Sequence, residues 1–318
     1  MTTARAKPWE YAFWLVLLAT PLFAPSHASM INEVAITALF AISLDLVLGY
    51  TGIVSLGHAA FFGMGAYTAA LFAKHIHPDP LVGLAVAIAA SAALGAVCSL
   101  TVLRGEALTR LMVTLGVSLL LLELANKLDW LTGGADGLQG VAMGKLLGTF
   151  EFDLSGRTAA WYSLAALLIF FVLARRLVHS PFGYGLMAIR DNPLRATMIG
   201  INVKSRIAVI YTLAAAVAGA AGGLQAQTTG FASLDVFSIE RSADLLLMLV
   251  IGGTGWLYGG IVGAVVFKLL HDLISAATPQ YWTFWIGLFL VVLVLVGRDR
   301  LVRPWTWWHP ARKAGESS

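Results

Sequence analysis

The sequence predicts an all-α fold: a polytopic membrane bundle of about ten transmembrane helices, with N- and C-termini in the cytoplasm. Three observations predict it. Of 318 residues, 58% are hydrophobic and only 12% charged, against about 25% charged in a soluble domain. The apolar residues come in continuous runs close to the ~20 residues that a membrane-crossing helix needs. The alternating ~10-residue segments of a membrane β-barrel do not occur.

The runs fall at 11–27, 31–49, 53–73, 81–103, 107–128, 158–178, 206–228, 242–256, 257–275 and 281–297. The first lies in "ARAKPWEYAFWLVLLATPLFAPSHAS", which has the basic start and apolar middle of a secretory leader. Trp9, Tyr11, Phe13 and Trp14 suit an interfacial anchor better, so a retained helix is preferred. The segment 242–275 reads as one long span or as two short ones broken at Gly252–Gly260. Charge decides for two. Arg5 and Lys7, Arg104 and Arg110, the cluster from Arg175 to Arg206, and the cluster from Arg298 to Lys313 hold 15 of the 21 basic residues. All four regions fall on the cytoplasmic side only if 242–275 crosses twice.

The net charge of +4 matters through this placement. No basic block interleaved with aromatics suggests nucleic acid. The single Cys98 allows no intrachain disulfide. Residues 1–318 form a single membrane domain, with a Gly-rich outer loop at 129–157, a cytoplasmic loop at 179–205 and a disordered tail at 312–318. The outer loop is either a docking surface or a connector. "TGIVSLG" (51–57) and "TGWLYGG" (254–260) form a faint internal echo.

Enzyme signatures are missing. There is no GxxxxGK[ST], HExxH, GxSxG or paired CxxC, so the chain is read as no enzyme, with no cofactor and no metal. "HIHPD" (75–79) is read as a solvated turn. Asp45, Ser55, His58, Thr114, Ser118, Glu123, Gln225 and Gln227 fall inside spans, where a polar group serves a cavity or an interhelical hydrogen bond. Asp45 and His58 flank one glycine-rich stretch, "GYTGIVSLGHAAFFGMGAYTAALF" (49–72). They line one cavity or pair with each other. Glycine there permits a backbone break beside a polar path. The candidate polar path is therefore Asp45, Gly52, Ser55, Gly57 and His58. Gly57→Leu is expected to harm transport more than Gly65→Leu, because Gly57 lies at the polar break.

The most informative soluble stretch is "SPFGYGLMAIRDNPLRATMIGINVKSR" (180–206). Asn192 suits an N-cap, Pro193 the first helical position and Gly200 a left-handed end. Leu194 and Met198 share a face, with Ile201 near it and Arg195 elsewhere. So short a helix does not hold alone in water. It lies either on the membrane or the protein's own inner face, or in a cytoplasmic partner.

These stretches, with "TGGADGLQG" (132–140) and "ADLLLMLVIGGTGWLYGGIVGAVVF" (243–267), resemble the permease subunit of bacterial branched-chain amino-acid ABC importers, the LivM type, from about residue 30 to 298. The resemblance implies a multi-pass inner-membrane protein that moves branched-chain or related amino acids inward by alternating access. It also implies a second permease subunit, two cytoplasmic ATP-binding subunits and a periplasmic substrate-binding protein. The 193–200 helix then becomes an ATPase-coupling helix, formed by Pro193, Leu194, Ala196, Met198, Gly200 and Ile201. Leu194 and Arg195 depart from the usual Glu-Ala of such helices, while Ala196 and Gly200 keep to the pattern. Asp45 stands where the family often has an uncharged polar residue. The rival reading is a stand-alone ion-coupled secondary transporter of a small organic solute, with Asp45 and His58 as its ion site.

Overall fold

The computed structural model describes residues 8–103, 107–153, 155–281, 284–285, 287–288 and 291. Its helices are α1 (Pro8–Phe23), α2 (Ala28–Thr51), α3 (Ala59–His75), α4 (Pro80–Val102), α5 (Ala107–Lys127), α6 (Asp129–Thr132), α7 (Arg157–Val178), α8 (Pro181–Asp191), α9 (Pro193–Met198), α10 (Val203–Thr229), α11 (Ile239–Gly252) and α12 (Leu257–Ala277). Among the described residues the only β pairing is two isolated bridges, Leu138 with Ala232 and Leu146 with Phe150. The chain divides into compact units at 1–265 and 266–318. In the second, Lys268 and Asp272 pair at 3.2 Å on one helix face. Everything below concerns the first.

Local chemistry sets the helix ends. Asp79 accepts from the N–H groups of Leu81 and Val82 (2.8 and 3.2 Å) and so caps α4, with Pro80 in the first position. The "HIHPD" stretch is thus a capping turn. Gly52, at φ 72°, ends α2 in the left-handed conformation that favours glycine.

The helices α2, α4, α5, α7, α10 and α12 are long and apolar enough to cross a membrane, which makes the chain a multi-pass helical membrane protein. The bundle has a loop end, carrying 129–157, and an opposite end, carrying α8 and α9. α10 runs between them, packed tightly on α3 and α4. Small residues allow the approach: a Cβ on Gly222 would overlap the Phe62 carbonyl, and one on Gly65 would meet the Gly219 backbone. The expected contrast between Gly57 and Gly65 is therefore corrected. Gly57 lies against the Thr114 carbonyl, so backbone blocks a larger side chain at both positions.

Two runs read as whole spans are split. The run 53–73 is helical only from Ala59, and α3 has 17 residues. The run 242–256 belongs to α11, of 14 residues. At 1.5 Å per residue these helices are about 26 and 21 Å long, short of a ~30 Å hydrocarbon core. Backbone that is not α-helical covers the difference: residues 52–58 before α3, and 230–238, with a 3₁₀ turn at Leu234–Phe237, before α11. Most of the run 281–297, with Arg5, Lys7, Arg104 and the tail 298–318, lies outside the described residues.

α1 is tied to the bundle. Glu10, 7% exposed, is ion-paired with Arg175 of α7. Trp9 and Phe13 pack on Tyr258, and Trp14 on Phe171.

Candidate functional site

Residues 52–58 leave the end of α2 and return alongside it. Ser43 and the His58 Nε2 are 2.9 Å apart. Ser43 lies eight residues before Thr51, so the segment climbs back about 12 Å into the bundle. Burial alternates along it: Ile53, Ser55 and Gly57 are buried, while Gly52 and Val54 are exposed. That is the two-residue period of extended chain. None of the six N–H groups of residues 53–58 donates a hydrogen bond among the described residues. Unpaired backbone at membrane depth is tolerated where protein or a watery cavity surrounds it.

The side chains of this break are equally short of partners. Ser43 gives its one proton to the Phe40 carbonyl at 2.6 Å. The His58 Nε2–H must then donate to Ser43, which leaves Nδ1 a bare acceptor. That Nδ1 is fully buried and has no partner. The ring is held between Phe40 and Phe61. The Ser55 hydroxyl lies beside Tyr211 without a well-formed hydrogen bond. The adjoining cleft, walled by Gly57, Phe61, Cys98, Thr114 and Tyr211, is too narrow for water. The break is therefore closed in this conformation.

Asp45 and His58 do not pair with each other. Asp45 Oδ1 instead accepts the N–H of Gly255 at 2.7 Å, and its buried Oδ2 has no partner. Gly255 (φ 76°) sits in the turn between α11 and α12. The turn at Gly255 packs against the last turns of α2: a Cβ on Gly49 would come 2.5 Å from the Gly255 nitrogen. Arg190, in the last turn of α8, donates to the Gly49 carbonyl at the α2 C-terminus. It supplies positive charge where the helix end leaves carbonyls unpaired.

Beyond Arg190 the chain turns into α9. Asn192 accepts from the Arg195 N–H at 2.9 Å, Pro193 opens the helix, and Gly200 (φ 84°) follows it in the left-handed conformation. Only Ala196 is buried. Leu194 and Met198 are 75% and 86% exposed. Ile199, at 69%, joins them, whereas Ile201 is half-buried. The exposed apolar face is thus Leu194, Met198 and Ile199, a correction to the expected place of Ile201.

At the loop end, Lys74, His75, Asp129, Trp130 and Asp136 line a cavity of about 360 Å³. In the same loop Lys145 and Glu151 pair at 2.9 Å. Their hydrogen bond holds the lysine's pKa up and the carboxyl's down.

The sequence reading missed Asp235 and Arg241. They lie outside the apolar window of 242–256 and so read as outer-loop charges. The structure carries them inward. Arg241 Nη2 and Nε bind Asp235 Oδ2 at 3.0 and 3.2 Å, and the guanidinium lies 5.4 Å from the Phe62 ring centre. One residue on, the Ser242 hydroxyl accepts the N–H of Ala59 at 3.0 Å, joining the start of α11 to the start of α3.

Residues 26–296 match the family model described as branched-chain amino acid transport system / permease component. The chain is similar to the high-affinity branched-chain amino acid transport system permease protein LivM of Salmonella typhimurium: 26% identical, over 99% of this chain and 79% of the relative. The Escherichia coli protein of that name is also 26% identical, over 96% and 76%. The galactose/methyl galactoside import permease protein MglC of Salmonella typhimurium is 26% identical over 86% and 88%. No solved structure matches.

Proposed function

Because the chain belongs to the family of branched-chain amino acid transport system permease components, we propose that it is the membrane subunit of an ATP-driven ABC importer. It works with a second permease subunit, two cytoplasmic ATP-binding subunits and a periplasmic substrate-binding protein, in the bacterial inner membrane with both termini inside. ATP hydrolysis resides on the partners. Branched-chain or related amino acids are the substrate class. The likeness to a sugar permease over 86% of the chain makes neutral sugars the second class to test. The solute passes along the breaks at 52–58 and 230–238. Ser55, the His58 Nδ1 and the backbone N–H groups give it hydrogen bonds as the helices part, and Gly52 and Gly57 let the chain bend.

One observation carries this reading. α9 is a six-residue helix that leaves Leu194, Met198 and the next residue, Ile199, in the open. So short a helix needs a support, and an ATPase groove provides one. Ala196 and Gly200 hold its shape, while Leu194, Met198 and Ile199 fill the groove. Burying a Leu or Met side chain contributes roughly 1.5–3 kcal/mol, so losing two weakens association by about a hundredfold or more. The variant Leu194→Asp with Met198→Asp is expected to insert normally, to lose its co-purifying ATPase subunits and to abolish substrate-stimulated hydrolysis. Arg195→Ala should change little. A double variant that keeps its ATPases and couples normally rejects the reading. Gradient-driven uptake by this chain alone would favour a secondary transporter.

A further inference from the structure

We propose that Arg241 and Asp235 form a binding site for the charged ends of a zwitterionic solute, halfway through the membrane, on a face this chain leaves open. Their depth follows from contacts on both sides. Phe62, under the guanidinium, lies thirteen residues before the end of α3 at His75, about 20 Å along the axis. Arg241 itself lies eleven residues before the end of α11 at Gly252, about 16 Å from the opposite end. Two further contacts bring the preceding segment to this level. Phe237 stacks on Tyr67, and its carbonyl accepts the Ser118 hydroxyl at 2.8 Å. The pair therefore sits near the middle of a ~30 Å hydrocarbon layer.

Neither residue is sealed inside the chain. The Arg241 side chain is 33% exposed and that of Asp235 60%. An exposed ion pair at that depth is costly against lipid, so it faces a water-filled path. Each partner also keeps capacity in reserve. Both hydrogen bonds use Asp235 Oδ2, given by Arg241 Nε and Nη2. Asp235 Oδ1 and Arg241 Nη1 make no hydrogen bond among the described residues. Nη1 thus offers donors to a carboxylate, and Oδ1 an acceptor to an ammonium group. The Nε–Nη2 edge faces Asp235, so Nη1 lies at the far corner of the guanidinium, and a solute that reaches both groups spans the ion pair. The Phe62 face and the Asp235 bond fix the guanidinium before any solute arrives.

The nature of the solute rests on the importer reading; exposure to water does not. Two arms separate them. In a Cys98→Ala background, Arg241→Cys should react with a membrane-impermeant methanethiosulfonate at least about tenfold faster than Leu245→Cys, one turn on and buried. Equal protection of the two overturns the site. In cells carrying the whole transporter, radiolabelled leucine is the probe. Arg241→Met and Asp235→Asn should each cut uptake at least about tenfold without lowering the amount of assembled complex. The exchange Arg241→Asp with Asp235→Arg keeps the ion pair but inverts the site. It should restore any lost assembly and leave uptake low. Recovery of uptake in the exchanged variant means the pair is structural only and overturns the proposal. If the unaltered transporter takes up no leucine, the amino-acid reading fails, and the labelling arm alone decides whether the site faces water.

Discussion

Two sets of polar side chains lie inside the same bundle and end differently. Near the loop end, Asn32 of α2 donates to Thr228 of α10 at 3.1 Å and accepts from Ser163 of α7 at 2.6 Å. Beside them the Tyr162 hydroxyl donates to Gln227 at 2.9 Å, and Gln227 donates to the Pro80 carbonyl at 2.7 Å. Four helices are tied together this way. Some 25 residues along the chain from Asn32, the break at 52–58 has Ser55 and the His58 Nδ1 without partners. Burial is common to both sets; satisfaction is not. A buried polar group that completes its hydrogen bonds holds helices in place. One that does not raises free energy in the closed state and gains when a polar guest or water reaches it.

The largest effects should ignore the difference. Gly57→Leu and Gly65→Leu each drive a side chain into backbone, at Thr114 and Gly219, and each should cost more than about 4 kcal/mol. Loss of the monodisperse peak in size-exclusion chromatography is expected for both. A Gly65→Leu protein that folds normally would mean that α3 and α10 are not packed as described.

The next effect separates the regions. Asn32→Leu strands the Ser163 hydroxyl, which donates to Asn32, and should destabilise the permease by about 0.6–3 kcal/mol. A lower melting temperature is expected, with transport per folded molecule unchanged. Ser55→Ala should be smaller still, within about 0.5 kcal/mol, because no complete hydrogen bond is lost. Its effect should appear as reduced uptake per folded molecule. If Ser55→Ala lowers the melting temperature as much as Asn32→Leu does, the two regions are alike and the comparison fails.

Much of this was legible in the sequence, for physical reasons that differ by element. The membrane class followed from composition, since lipid leaves few alternatives to apolar helices. The ends of α9 followed from Asn192, Pro193 and Gly200, because caps are local chemistry. The plain hydrogen-bonding role suited Gln227 and Ser118, which bind Pro80 and Phe237. Three things were beyond it. Composition cannot tell an unwound stretch from a helix when both are apolar, so the start of α3 was misplaced. The partner of Asp45 is 210 residues away at Gly255, and no spacing rule reaches so far. Asp235 and Arg241 looked like loop charges until contacts with Phe62, Tyr67 and Ser118 fixed their depth.

The claim on which the rest depends is that residues 53–58, closed in this conformation, carry unpaired backbone that water reaches when the helices part. Amide hydrogen exchange on the purified permease in lipid nanodiscs tests it. The account predicts that the amides of 53–58 exchange at least about a hundredfold faster than those of residues 38–44, which lie beside them in α2. Equal, slow exchange in both segments would contradict it, because the break would then be sealed protein and no part of a path.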